Sequence, residues 1–509
     1  MKNNGFVKGA LILLVCNLIG KVIGAVYRIP LANMLGTEGI GKYQLIFPLY
    51  ALLLSISSSG IPVAISKIVA EYNSKGMFED VRKLLKLAKT YLCIISLVAV
   101  VIIIFFARSI AKIQGNPDIY FCYYAIAPAI LFVGILSVYR GFFQGNLNML
   151  PSALSNLFEQ LGKLIFSLIL ARMMISRGIE FGIFGALLGV SISELLALIF
   201  LSVYYLFSRK NKCSAMLGSR QISHQLFSNA FPITLGNLAG PLTAIIDSLL
   251  IVNLLRNIGF NSDKATSLLG LQSGIVDPII NIPIVLSISI AASLLPNLAN
   301  LFVKGESKAV KQTIEKAFQI TLSVALVCAV CFVIFGKQIL MFLYGKNLNG
   351  SELITASKLL FLGGINLLFL SLVQVSSGML QGMGKQNLTV KTIVFGSIIK
   401  IVLTIGLVSV KQVNILGAMI SGGVSYLVVF ALNYVQIKKL TTARISNVFM
   451  ETIVQCCLVC MFAYFSNRLF CMALGGTIAL FAGGLVSIVI FLVTYYTLFL
   501  VDKSRSFSS

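Results

Sequence analysis

Apolar residues run along this chain in stretches of about 20 or more, each closed by a short polar turn, the pattern of membrane-crossing helices. Reading the runs in order predicts helices at 9–34, 43–70, 86–108, 119–144, 152–175, 181–207, 226–255, 270–300, 315–343, 353–380, 387–410, 413–437, 447–468 and 472–500. The connection 71–85 is charged and helix-prone, and is expected to lie along the membrane interface. No other connection is long enough to hold a folded extramembrane domain. The fold class is therefore all-α integral membrane.

Composition agrees with the pattern. The chain has 509 residues, 58% hydrophobic and 11% charged, with a mean hydropathy of +0.96. So few charges cannot cover a water-exposed surface. The formal charge of +24 would suggest nucleic acid in a soluble protein, but basic residues concentrate in cytoplasmic loops of membrane proteins, and no nucleic-acid role is expected. With the N-terminus inside, cytoplasmic segments hold 22 of the 40 lysines and arginines and outer loops 11. Both termini are then cytoplasmic, which requires an even helix count. The first run passes Lys21 and Arg28 without a small-residue cleavage site, so it is expected to be retained as a helix. Most of the ten cysteines lie inside apolar runs, Cys457 and Cys460 among them, and are expected to be buried thiols.

The halves resemble each other. A shift of 237 places Gly141, Gln144, Gly145 and Lys163 on Gly378, Gln381, Gly382 and Lys400. Asn17-Leu18-x-Gly20 is echoed by Asn237-Leu238-x-Gly240, and Gly185-Ala186 by Gly417-Ala418. A six-helix unit repeated in parallel about an axis along the membrane normal is expected, with two helices outside it. The predicted organisation is 1–207 for the first lobe, 208–225 for a basic linker, 226–437 for the second lobe, and 438–509 for the last two helices and tail. Eight of the 11 prolines fall in predicted helices 1, 2, 7 and 8. Proline removes a backbone hydrogen bond, which lipid tolerates only where neighbours or water compensate. Pro30, Pro48, Pro62, Pro241 and Pro283 are expected to bend these helices around a cavity.

Charges inside apolar runs need a reason, because each costs roughly 2.5–3.5 kcal/mol at the bilayer centre even on the lenient scale. The basic set is Lys21, Arg28, Lys163 and Lys400, with Arg140 near a helix end. The acidic set is Glu159, Glu194, Asp247 and Asp277. Lys21, Arg28, Lys163 and Lys400 form a basic cavity suited to phosphate. Arg28 and Asp247 fall at similar depth in opposite lobes, either as a pair that an anionic ligand opens or as a permanent link. Glu159 and Lys163 are one helical turn apart and form a local ion pair in the plainer reading. Asp247, Glu194 and Glu159 are the candidates for ion coupling. Catalysis finds no support: His224 is alone, no nucleophile or metal-ligand motif appears, and Gly382-x-Gly384-Lys385 lacks the strand of a phosphate loop. No cofactor and no ATP site is expected.

The first 72 residues, above all Gly60-Ile61-Pro62-Val63-Ala64-Ile65-Ser66-Lys67, resemble the opening of stage V sporulation protein B and related polysaccharide-biosynthesis proteins. The helix count, the repeat and the basic cavity are similar to the multidrug/oligosaccharidyl-lipid/polysaccharide exporter superfamily, which includes flippases of the MurJ type. The resemblance implies a bacterial plasma-membrane flippase that moves an undecaprenyl-pyrophosphate-linked saccharide outward by alternating access. The substrate would be like a peptidoglycan precursor, in a cell-wall or spore-cortex role, with cell-wall polymerases as partners. It implies that Lys21 and Arg28 contact the substrate cavity, and that membrane potential or a proton or sodium gradient supplies the drive. Asp247 departs from the basic pattern. A MATE-like drug antiporter and a non-transporting scaffold are the alternatives.

Overall fold

A computed structural model of the protein describes residues 2–58, 60–207, 217–345 and 347–441, with Met461 and Phe465. Among them every element is helical. The order is α1 (Lys2–Val26), α2 (Arg28–Ser58), α3 (Ile61–Ser74), α4 (Phe78–Ile113), α5 (Cys122–Gly145), α6 (Met149–Gly162), a π-helical turn (Lys163–Ser167) and α7 (Leu168–Met174). There follow α8 (Ile179–Phe207), α9 (Ser219–Asn237), α10 (Ala239–Asn257), α11 (Ser262–Leu269), a second π-helical turn (Gly270–Val276) and α12 (Asp277–Val303). The last are α13 (Ser307–Tyr344), α14 (Gly350–Gly382), α15 (Gln386–Val408) and α16 (Ile415–Leu440). Nine helical stretches among the described residues are long and apolar enough to cross a membrane, ten if the bent α9–α10 pair is one span. Predicted helix 14, predicted helix 13 apart from Met461 and Phe465, Cys457 and Cys460, and residues 208–216 of the linker lie outside the described residues.

Proline explains three of the breaks. A proline cannot donate to the carbonyl four residues before it. Val26, Ser58 and Asn237 stand four residues before Pro30, Pro62 and Pro241, and α1, α2 and α9 end at those residues. The last break bends the α9–α10 span by 45°. Pro48 and Pro283 sit inside α2 and α12, which run on. Asn237-Leu238-x-Gly240 lies at a break, whereas its counterpart Asn17-Leu18-x-Gly20 lies within continuous α1. Gly36, at φ 72°, adds a kink to α2.

The segment 71–85 is not a separate interfacial helix. Its first residues finish α3, Gly76 turns the chain at φ 72°, and the rest opens the 36-residue α4. The reason is continuity of burial: Val81, Leu84, Leu85, Ala88 and Leu92 make one stripe against Ile65, Leu136, Phe143 and Leu226.

Two compact units emerge, Met1–Gly274 and Ile275–Ser509. The first has its core among α3, α4, α5, α8 and α9. In the second, Leu298, Ile314, Phe318, Val375, Met379 and Ile437 join α12, α13, α14 and α16. The glycines shared at a shift of 237 do matching work. A β-carbon on Gly141 or Gly145 of α5 would meet Ile65 or Val69 of α3, and one on Gly378 or Gly382 of α14 would meet Ala291 or Leu295 of α12. Likewise a β-carbon on Gly185 would stand 2.7 Å from the carbonyl carbon of Leu170, and one on Gly417 2.7 Å from that of Leu407; the two leucines are again 237 residues apart, the two glycines 232. Gly185→Val and Gly417→Val are each expected to cost about 1–3 kcal/mol by overpacking. Unfolding midpoints of the detergent-solubilised protein measure this, and unchanged midpoints would refute the close packing.

Candidate functional site

The π-helical turn after Gly162 inserts an extra residue per turn into the α6–α7 helix, a feature frequent at functional sites. Lys163 opens that turn and reaches two carboxylates. Its Nζ donates to Glu159 Oε1 at 2.6 Å on α6 and lies 2.8 Å from Glu194 Oε1 on α8. Arg140 of α5 holds the other oxygen of Glu159, Nη2 to Oε2, at 2.8 Å, and its Nε donates to Ser155 Oγ at 3.1 Å. Tyr50 of α2 donates its hydroxyl to Glu194 Oε1 at 3.3 Å, and Gln160 Nε2 donates to Glu159 Oε1 at 3.1 Å. Two cations and two anions from four helices thus close a neutral network. Glu194 is 0% exposed, and its Oε2 has no hydrogen-bond partner among the described residues. A buried charge persists only when paired, so the network specifies how α2, α5, α6 and α8 meet.

Helix α1 hangs on the same α6. Asn156 Nδ2 donates to Asn17 Oδ1 at 2.6 Å, and β-carbons on Gly20 and Gly24 would touch the side chain of Gln160, 3.2 and 2.9 Å away. The Gly20-x-x-x-Gly24 spacing is thus the seat for a residue that bonds Glu159. Lys21 beside it is exposed, and the Arg28 guanidinium lies 5.4 Å from the Phe47 ring centroid in a cation–π contact. Asp247 is half-buried on α10.

Lys400 lies in the second unit on α15, with its Cε 3.9 Å from the place a β-carbon on Gly422 would take. The shift that carries Lys163 to Lys400 carries Glu159 to Gly396 and Arg140 to Ser377. There the buried polar centre is neutral: Asn433 donates to Ser376 and Ser377 at 3.1 Å and accepts from Thr392 at 2.7 Å. Lys163, Glu159 and Glu194 are therefore brought together, with Arg140 as an added member, whereas Lys400 belongs to a different unit.

A second polar layer joins the middle of α2, the C-terminal end of α4 and the N-terminal ends of α8 and α11. Lys42 is shared by Glu38 and Glu180, each at 2.7 Å. Asn116 donates to Thr266 Oγ1 at 2.9 Å, Ser262 donates to the Gly115 carbonyl at 2.5 Å, and Gln44 donates to the Ser273 carbonyl. Gln114 accepts from Tyr123 at 2.6 Å and donates to the Leu45 carbonyl at 2.8 Å. Gly41 and Gly270 let α2 and the second π-helical turn touch backbone to backbone. At the opposite end of the α9–α10 span, Gln225 accepts from Tyr72 at 2.6 Å and Asn229 from Lys67 at 2.9 Å. Both ends of the α9–α11 stretch are thus latched to α2, α3 and α4 inside the first unit. Sequence reading missed Lys42, Gln44, Gln114, Asn116 and Thr266, since these residues fall at or beside the polar turns between the apolar runs. The glycines opposite them were the only trace.

Apolar helices of spanning length around an ionised interior define a multi-pass, all-helical membrane protein. A family model described as polysaccharide biosynthesis protein matches residues 6–302, and a MatE model matches 272–405. The chain belongs to the polysaccharide biosynthesis protein family, within the multidrug/oligosaccharidyl-lipid/polysaccharide superfamily. Lipid II flippase MurJ of Bacillus subtilis (strain 168) is 29% identical over 456 residues, which cover 85% of this chain and 82% of the relative. Stage V sporulation protein B of the same organism is 27% identical over 353 residues, 68% of each chain. Among solved structures, lipid II flippase MurJ in an inward closed conformation superposes with a TM-score of 0.77 at 14% identity, over 97% of this chain and 100% of the other. An inward-facing multidrug resistance MATE transporter gives 0.67 at 15% identity, over 83% and 95%.

Proposed function

We propose that the chain is a flippase for an undecaprenyl-pyrophosphate-linked saccharide, carried from the inner to the outer leaflet of the bacterial plasma membrane by alternating access. The observation that carries the reading is similarity to a lipid II flippase along most of both sequences, joined to structural similarity over nearly the whole chain. Fourteen helices in two six-helix lobes plus two, with both termini cytoplasmic, belong to the same reading, and the paired glycine contacts 237 residues apart support it. Lys21 and Arg28 on α1 bind the pyrophosphate while the polyprenyl tail stays in lipid. Lys163 and Asp247, both in the first unit, and Lys400, in the second, complete the proposed set of substrate-binding residues. Helix breaks at Pro30, Pro62 and Pro241 are the hinges.

An inside-negative potential favours outward movement of an uncompensated anion by roughly 2.3 kcal/mol per charge per 100 mV, so no ATP is required. Glu194 is the alternative coupling point, through a proton or sodium ion, because one of its buried oxygens lacks a partner among the described residues. In proteoliposomes holding a fluorescent lipid-linked precursor, Arg28→Ala is expected to slow flipping by about tenfold or more, the loss of one charge-assisted phosphate contact. Flipping at the unaltered rate would remove Arg28 from the site. Lipid II, teichoic-acid and capsule precursors compared side by side select the saccharide.

The MatE match supports a second reading, a drug antiporter. Under it the carboxylates dominate: Glu194→Gln abolishes cationic-dye export while precursor flipping is absent from the start.

A further inference from the structure

The second unit carries a recess that neither the charged network nor the flippase reading uses. Its volume is about 610 Å³, and Phe332, Val333, Phe361, Leu416 and Ile420 give it an apolar wall, with Lys337, Lys358, Ser357 and Gln412 as polar groups. The recess exists because the hairpins differ in reach. Lys337 stands seven residues before Tyr344, where α13 ends, and Lys358 eight residues after Gly350, where α14 begins. At 1.5 Å per residue each lysine lies about 10–12 Å below the α13–α14 turn. The turn joining α15 to α16 also lines the recess through Gln412 and Val413. It therefore stops about that much short, and among the described residues leaves the flank of α13 and α14 uncovered above it.

Two lysines at one depth, beside one apolar recess, offer an anion two positive charges. Among the described residues the lining contains no carboxylate and neither lysine belongs to an ion pair, and both lysines are exposed. Lys411 is a third cation on the adjoining turn. Val333 and Phe361 are about half exposed, 45% and 47%, on helices of membrane-spanning length, so the apolar wall opens toward lipid rather than water. A ligand that satisfies both features has a phosphate beside hydrocarbon, at the depth where a headgroup meets its chains.

We propose that this recess binds an anionic phospholipid such as phosphatidylglycerol. The phosphate lies between Lys337 and Lys358, the glycerol hydroxyls reach Ser357 and Gln412, and an acyl chain lies along Val333, Phe361 and Leu416. The proposal rests on the membrane-spanning fold and not on the flippase reading.

Native mass spectrometry of the full chain tests it by counting retained lipids. The probes are phosphatidylglycerol, phosphatidylcholine of the same chains, and glycerol 3-phosphate. Wild type is expected to retain phosphatidylglycerol in preference to phosphatidylcholine. Lys337→Gln with Lys358→Gln should weaken that retention about tenfold, since each lysine near a membrane surface contributes to anionic-lipid binding. Lys337→Arg with Lys358→Arg should keep it, and unchanged precursor flipping separates this site from the transport site. Equal retention by the glutamine double variant overturns the proposal, as does equal binding of phosphatidylcholine. Competition by glycerol 3-phosphate as strong as by the lipid makes it an anion site instead. A dimer that the glutamine variant dissolves would give the recess to a second copy.

Discussion

Glu159→Ala is expected to destabilise the protein by about 3–5 kcal/mol, because it strips a partner from two buried cations at once. Arg140 would keep only Ser155, and Lys163 only Glu194. Glu194→Gln should cost less. Glu159 still holds Lys163 at 2.6 Å, and a neutral amide can still accept from Tyr50. Unfolding of the detergent-solubilised protein measures both losses, and a Glu159→Ala midpoint near wild type would refute the network as a structural centre. A further variant separates structure from function. Replacing Arg140, Glu159, Lys163 and Glu194 together by methionine removes every charge of the network, and such replacements are often neutral or stabilising. Stability should therefore recover relative to Glu159→Ala. If the charges serve transport, flipping does not recover with it, and a quadruple variant that flips at the wild-type rate would make the network a packing device alone.

How much of this was legible beforehand depends on whether the controlling interaction is local. The helix ends at Val26, Ser58 and Asn237 follow from prolines four residues on, so the interruptions could be anticipated from sequence. Glu159 and Lys163 share a helical face by spacing alone, and their pairing follows. What spacing cannot give is the third dimension. Arg140 read as a residue near a helix end, yet α5 brings it beside Glu159. The Phe47 ring under the Arg28 guanidinium was likewise not legible, since the two residues stand 19 apart in sequence. The polar layer around Asn116 and Thr266 was invisible for the same reason, since its partners are 150 residues apart and several accept through backbone carbonyls. A carbonyl has no sequence signature. Only Gly41 and Gly270 hinted that two backbones meet there.

That layer carries the second large expectation. If α9–α11 must leave α2 and α4 on one side of the membrane for a headgroup to pass, fastening the contact must stop transport while leaving the fold intact. Asn116 and Thr266 are suited to this, since their side chains meet at 2.9 Å across the layer and neither contributes to the charged network. In a background with the native cysteines replaced, Asn116→Cys with Thr266→Cys, oxidised to a disulfide by copper phenanthroline or joined by a short bis-methanethiosulfonate reagent, is expected to lower precursor flipping by about a hundredfold. That fall corresponds to roughly 2.8 kcal/mol if the latched state is held to that degree. Reductant should restore it, and each single-cysteine variant should keep most of its rate under the same treatment. The opposite fastening, Gln225→Cys with Tyr72→Cys at the other end of the span, should block as well, because alternating access has to open each latch in turn. A fully cross-linked Asn116–Thr266 pair that still flips precursor would mean the substrate passes without parting α11 from α2 and α4. The two-latch cycle would then be wrong, even though the family and fold stand.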